Sequence, residues 1–147
     1  MKKYFIYTLL SYFLLDSTAF SEEFIGRTWV IDGDSLRITL KNGIKKEVRL
    51  FGINAPELSS PAGRRAKKHL IRLIKTGGRT VKCKVYDIDK YKRNVSVCHN
   101  EHGDLAERMI LDNHANIFTR YIHKAPKKIK ERYIKAMQNR SFTSYSD

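Results

Sequence analysis

Between Phe24 and Phe51, three segments rich in β-branched, aromatic and aliphatic residues are separated by two tight-turn signals, and this pattern restricts the fold more than any other feature of the chain. FIGRTWVI, residues 24–31, reads as a strand; Asp32-Gly33-Asp34 is a turn; SLRITL, residues 35–40, alternates like a second strand. Lys41-Asn42-Gly43 comes next, and Asn-Gly tolerates the positive φ angles of a short hairpin loop, so residues 44–51 return as a third strand.

The rest of the chain must complete this meander. Ser60 suits a helix cap, Pro61 the first helical position, and Gly77-Gly78 a helix end, with Ala62, Ala66, Leu70, Leu73 and Ile74 at helical spacing between them. Arg64, Arg65, Lys67, Lys68, Arg72 and Lys75 make the opposite side basic, either as a solvated face or as a phosphate contact. Residues 80–86 and 94–99 read as a hairpin around residues 87–93, and Asp104 caps a helix through Asn113 that turns Leu105, Met109 and Ile110 inward. Residues 115–122 fit neither period. After Pro126 a basic helix runs to about Asn139 with Ile129, Tyr133 and Met137 on one stripe, and residues 141–147 form a polar tail expected to be mobile. Five strands, with one helix after the third and more after the fifth, predict a mostly β, α+β fold. The arrangement suits a five-stranded Greek-key oligonucleotide/oligosaccharide-binding (OB) barrel with about three helices.

The first residues stand apart from that domain. Lys2 and Lys3 precede a 12-residue apolar run from Tyr4 to Leu15 and then small residues around Ala19 and Ser21, the layout of a secretory signal peptide. The run is well short of the roughly 20 residues that span a bilayer, although an uncleaved anchor is the alternative. The expected organisation is a signal peptide over residues 1–21, a domain over 22–126, and a basic helix with a tail over 127–147. Export would deliver a chain without a stable membrane anchor, to the periplasm or the medium. Losing Lys2, Lys3 and Asp16 leaves +13 of the formal +14 charge, which favours a polyanionic partner: nucleic acid, an anionic membrane surface or an acidic polysaccharide. Cys83 and Cys98 flank the 87–93 turn, so paired strands would set them opposite each other as a disulfide. Two separate buried thiols, or a zinc site using Cys98, His99 and His102, remain as alternatives, the last without a second ligand pair at zinc-finger spacing.

Chemistry concentrates at the strand ends. Asp34 alone is an ordinary turn carboxylate, Arg49 an ordinary strand charge, Glu57 an ordinary loop residue; together they place a carboxylate, a guanidinium and a second carboxylate at adjacent strand ends. Asp32-Gly33-Asp34-Ser35, then RLFGINAPE at 49–57, then Asp89-Lys90-Tyr91-Lys92-Arg93 resemble in order and spacing the three site segments of the staphylococcal nuclease (thermonuclease) family, across roughly residues 24–122. The resemblance implies an OB barrel and calcium-dependent hydrolysis of DNA and RNA phosphodiesters. It implies Ca²⁺ ligation by Asp34, Asn54 and the Ala55 carbonyl, and activation of water by Glu57. Arg49 and Arg93 would stabilise the phosphate, while Lys90, Tyr91 and Tyr121 contact the nucleotide.

Three departures from the family pattern carry consequences. Asn54 stands where well-known members have Asp; an amide oxygen still suits Ca²⁺ but removes a negative charge and weakens affinity. Lys92 stands where the family usually has Gly, putting the placement of Arg93 in question. Ala55 replaces a common Thr, but only its carbonyl is required. The expectation is an exported monomeric nuclease, endonucleolytic and with little sequence preference, acting on RNA and on single-stranded or melted DNA. Two alternatives stand beside it: a catalytically weakened OB-fold nucleic-acid-binding module, and an envelope protein whose C-terminal basic helix touches anionic lipid.

Overall fold

The computed structural model describes residues 22–140. The expected signal peptide with its cleavage site, and the 141–147 tail, lie outside the described residues. The elements run β1 (Glu23–Val30), β2 (Ser35–Thr39), β3 (Lys45–Leu50), β4 (Ile53–Asn54), α1 (Pro61–Thr76), β5 (Thr80–Ile88) and β6 (Asn94–Asn100). There follow β7 (Gly103–Asp104), α2 (Leu105–Leu111), β8 (Asn116–Ile117), α3 (Thr119–Ile122) and α4 (Lys127–Gln138).

Five long strands follow the order β3-β2-β1-β5-β6 with antiparallel neighbours, and a parallel pairing of Val48–Leu50 with Asn94–Ser96 closes the ring between β3 and β6. Closure removes the edges that the meander would otherwise expose. Alternation along the strands sends Leu36, Ile38, Val48, Leu50, Val81, Val95 and Val97 into the core. Cys83 and Cys98 face each other in the β5–β6 register and are joined by a disulfide.

The helices cover the barrel as their apolar periods require. Ser60 caps α1 by accepting from the Gly63 N–H at 3.0 Å, and Ala66, Leu70, Leu73 and Ile74 are its buried stripe. A Cβ at Gly63 would sit 1.9 Å from the Glu57 carbonyl oxygen, so the first turn of α1 lies against the Pro56–Glu57 backbone only because that residue is glycine. Asp104 caps α2 and also accepts hydrogen bonds from the Tyr133 hydroxyl and from Arg132, locking α4 onto α2. Burial pushes both the Asp104 carboxyl and the Tyr133 hydroxyl above their ordinary values, with the Asp104 charge adding to the effect on Tyr133.

The helix number is close to the expected count of about three. The 115–122 segment, of no clear period, divides into the two-residue strand β8 and the short helix α3, which makes four helices among the described residues. The second helix ends at Leu111 rather than Asn113, because Asn113 takes a left-handed φ of 57°.

Candidate functional site

The site is assembled where the β1–β2 turn, the end of β3 and the β5–β6 turn meet. The Asp34 N–H donates to Asp32 Oδ1 at 3.0 Å, an Asx turn that sends the Asp34 side chain into the protein, where it is 5% exposed. Ser35 and Arg49 are direct cross-strand partners, which brings the Arg49 guanidinium beside Asp34. Arg49 Nη1 donates to Asp34 Oδ1 at 2.6 Å, and its Nη2 donates to Asn54 Oδ1 at 3.0 Å and to the Ile53 carbonyl at 3.3 Å. Gly52, at φ 72°, reverses the chain after β3 so that Asn54 and Ala55 return over Asp34. The Ala55 N–H then donates to Asp34 Oδ2 at 2.8 Å. Asn54 is steadied from outside by its pairing with Asn116 in β8, and Arg140 in turn bonds the Asn116 side chain at 2.7 Å.

Beside this cluster a cleft opens, about 220 Å³ where it is lined by Asp34, Asn54, Ala55, Glu57 and Arg93, and about 380 Å³ where it continues past Lys90, Tyr91 and Tyr121. Glu57 lines both parts, is exposed, and its carboxylate has no hydrogen-bond or ion-pair partner among the described residues. Tyr91 is 67% exposed, with the Arg93 guanidinium 5.3 Å and the Lys90 ammonium 4.9 Å from its ring centre. Tyr121 lies on α3 with its ring tilted against Phe118 at 5.2 Å.

Lys92 adopts the positive φ itself, at 63°, and Arg93 keeps its place in the cleft. The reason is Asp89. Its Oδ1 accepts the Tyr91 and Arg93 N–H groups at 2.9 Å each, and its Oδ2 accepts Arg93 Nε at 2.8 Å. Burial alone would raise the Asp89 carboxyl, but the bonds and charge of Arg93, with the Tyr91 N–H, outweigh it and hold the group below its ordinary value. Arg93 Nη1 reaches on to Ser35 Oγ at 3.3 Å.

The nine expected cleft residues, Asp34, Arg49, Asn54, Ala55, Glu57, Lys90, Tyr91, Arg93 and Tyr121, therefore surround one cleft. Cys83 and Cys98 lie in the barrel wall instead, closing the loop that carries Arg93. Asp89 and Ser35 stand in the quoted site segments without a role of their own, and Phe118 and Arg120 were passed over. The Asx-turn position of Asp89 was a usable signal; Phe118 and Arg120 reach the cleft through α3, whose period was illegible.

The oxygens of Asp34, Asn54 and the Ala55 carbonyl are a donor set for a hard cation. Asp34 accepts three hydrogen bonds, from Arg49, Ser35 and Ala55, out of about four that a carboxylate can take. Burial pushes the Asp34 carboxyl up despite the opposing charge of Arg49, so the cluster holds a buried carboxylate that Arg49 compensates only in part. These residues fit a divalent cation through one carboxylate and two neutral oxygens. Among the described residues there is no group of three or more His, Cys, Asp or Glu placed to hold a metal.

The family model described as staphylococcal nuclease homologue matches residues 47–141. Two proteins of Oryza sativa subsp. japonica, named probable staphylococcal-like nuclease CAN3 and CAN2, are 39% and 38% identical to this chain over 77 residues, covering 52% of it. The chain spans about a fifth, 20%, of the length of these relatives.

Proposed function

Because the chain belongs to the staphylococcal nuclease homologue family, we infer that it is a calcium-dependent phosphodiesterase acting on DNA and RNA. One observation carries this reading: the unpartnered Glu57 carboxylate shares a cleft with two guanidiniums that carboxylates hold in place. Simple binding gains nothing from a free carboxylate in a phosphate groove.

Each residue has a role that its surroundings support. Glu57, free to accept a proton, activates the attacking water. Arg49 has three of its five N–H groups engaged and Arg93 two of five, so both keep donors for phosphate oxygens. Fixed donors of this kind stabilise charge as it develops on the phosphoryl oxygens without reorganising. Tyr91 and Tyr121 offer ring faces to bases, and Lys90 a point charge to the backbone, which suits single strands read with little sequence preference. Ca²⁺ held by Asp34, Asn54 and the Ala55 carbonyl supplies Lewis-acid polarisation of a phosphoryl oxygen when bound. With Asn54 neutral, its affinity falls to roughly 10⁻⁴–10⁻³ M, the range of extracellular sites. The residue 1–21 pattern and the buried disulfide support an exported enzyme, and the open cleft supports endonucleolytic cleavage.

The test is hydrolysis of heat-denatured DNA by the purified chain as Ca²⁺ is raised from chelated to about 10 mM, an upper limit set by weak sites. Cleavage should appear toward the millimolar end, and Glu57→Gln should lower it by about 10²-fold or more while leaving DNA affinity intact. No cleavage at any calcium level with salt-sensitive binding retained would overturn the enzyme in favour of a binding module, with Asn54 and Lys92 as the residues that weakened the site.

A further inference from the structure

A second basic groove, about 300 Å³, runs between β1 and α1 and shares no lining residue with the Glu57 cleft. Arg27 and Trp29 stand two apart on β1, on its outward side, while Lys67, Ile71 and Lys75 recur every four residues along the facing side of α1. Arg79 completes the groove.

Three observations set this groove apart from ordinary solvated surface. Trp29 is 72% exposed, more than any other large hydrophobic side chain among the described residues. Every charged residue in the lining is a cation, and none of Arg27, Lys67, Lys75 and Arg79 forms an ion pair among the described residues. Arg79 holds a left-handed backbone at φ 59°, which non-glycine residues seldom adopt, with its N–H on the Ile74 carbonyl at 2.9 Å and its carbonyl on the Thr28 N–H at 3.0 Å. The surrounding α1 and β1 backbone thus fixes a strained arginine beside an exposed indole.

We propose that this groove is a second binding site for single-stranded nucleic acid, in which a base stacks on Trp29 and neighbouring phosphates lie against Arg27, Lys67, Lys75 and Arg79. An exposed aromatic face bordered by unpaired cations is the chemistry that grips single strands without reading sequence. Ile71 supplies an apolar surface for the base beside the indole. Trp29 is the only exposed large hydrophobic side chain in the lining, too little apolar surface to enter a bilayer, so lipid is the poorer fit. The proposal rests on the nuclease reading and extends it: the groove tethers a long substrate, raising its effective concentration at the cleft, and gives short substrates no advantage.

Trp29 is the single tryptophan of the chain, so its emission reports this groove directly. With calcium chelated, oligothymidylate titrated into the purified full chain should quench that emission in step with binding followed by anisotropy of the labelled oligonucleotide. Trp29→Ala should weaken oligonucleotide binding about tenfold, within the range for losing one stacked base. Lys67→Gln/Lys75→Gln should reduce the slope of log affinity against log salt by about 1.4, at about 0.7 per phosphate contact. In the calcium-loaded assay, Trp29→Ala should raise KM about tenfold for long denatured DNA and leave kcat, and hydrolysis of a dinucleotide, unchanged. Oligonucleotide binding by anisotropy with unchanged Trp29 emission overturns the proposal, as does no binding at all, or emission that responds to phosphatidylglycerol vesicles and not to DNA. Failure of the nuclease reading is distinguishable, because it abolishes hydrolysis in every variant while the chelated quenching persists.

Discussion

Asp89→Asn isolates how the β5–β6 turn presents Arg93. Asparagine keeps one oxygen to accept the Tyr91 and Arg93 N–H groups, so the turn survives, but its amide cannot accept from Arg93 Nε. The single charge-assisted bond at 2.8 Å is lost, and the guanidinium must be ordered afresh on each substrate. Immobilising one such side chain costs about 0.5–1.5 kcal/mol, so kcat/KM should fall about 2- to 12-fold. Arg93→Ala removes the donor outright and should cost about 10²–10³-fold. If Asp89 acts only through Arg93, Asp89→Asn should change nothing further in the Arg93→Ala background. The assay is kcat/KM on denatured DNA at saturating calcium for both single variants and the double. Equal losses in the two single variants, or an undiminished Asp89→Asn effect in the double, would refute the reasoning. Lys92→Gly serves as the control. Relief of a left-handed residue, worth about 1–2 kcal/mol, is partly offset by glycine's entropy. Stability should rise by less than about 1 kcal/mol and kcat/KM should stay within about twofold, since Asp89 and not residue 92 holds Arg93.

The remaining predictions concern stability. The Cys83–Cys98 disulfide closes a loop of sequence separation 15, so Cys83→Ala/Cys98→Ala should cost about 3 kcal/mol in urea unfolding, and a loss under about 1 kcal/mol would contradict the chain-entropy account. His69, buried between α1 and α2, has Nε2 at 2.8 Å from Asp112 Oδ2 and Nδ1 at 2.8 Å from Arg72 Nη2, stacks on His114 at 4.2 Å, and sits near Arg108. Arg72 donates, so Nδ1 must stay bare and the ring neutral; burial, with the arginine charges, lowers its pKa against the pull of Asp112. The folded state therefore binds fewer protons than the unfolded one. Stability should be full above the unfolded value of about 6.5 and decline below it by up to about 1.4 kcal/mol per pH unit for this group. His69→Gln preserves both bonds without the titration and should flatten the decline of the urea midpoint between about pH 7.5 and pH 5.5; an unchanged slope would place the titration elsewhere.

The amino-acid sequence by itself determined the parts that are local. The Asn42-Gly43 hairpin, the Ser60–Pro61 helix start, the Asp104 cap and the alternation of β2 and β3 follow from backbone preferences and solvent aversion within a few residues. Asp34, Arg49 and Glu57 were legible for the same reason, since the turn and strand register that join them span a short stretch of chain, whereas Asn54 and Ala55 joined them only through the family resemblance. Tertiary structure decided what depends on distant partners. Closure of the barrel through the parallel β3–β6 pairing, the docking of α4 through Tyr133 and Asp104, and the entry of Phe118 and Tyr121 into the cleft each join residues whose separation leaves no periodic trace. The groove between Trp29 and α1 is another such case. Alternation along β1 turns Trp29 outward with Arg27, but only the packing of α1 against the barrel brings Lys67, Lys75 and Arg79 beside it.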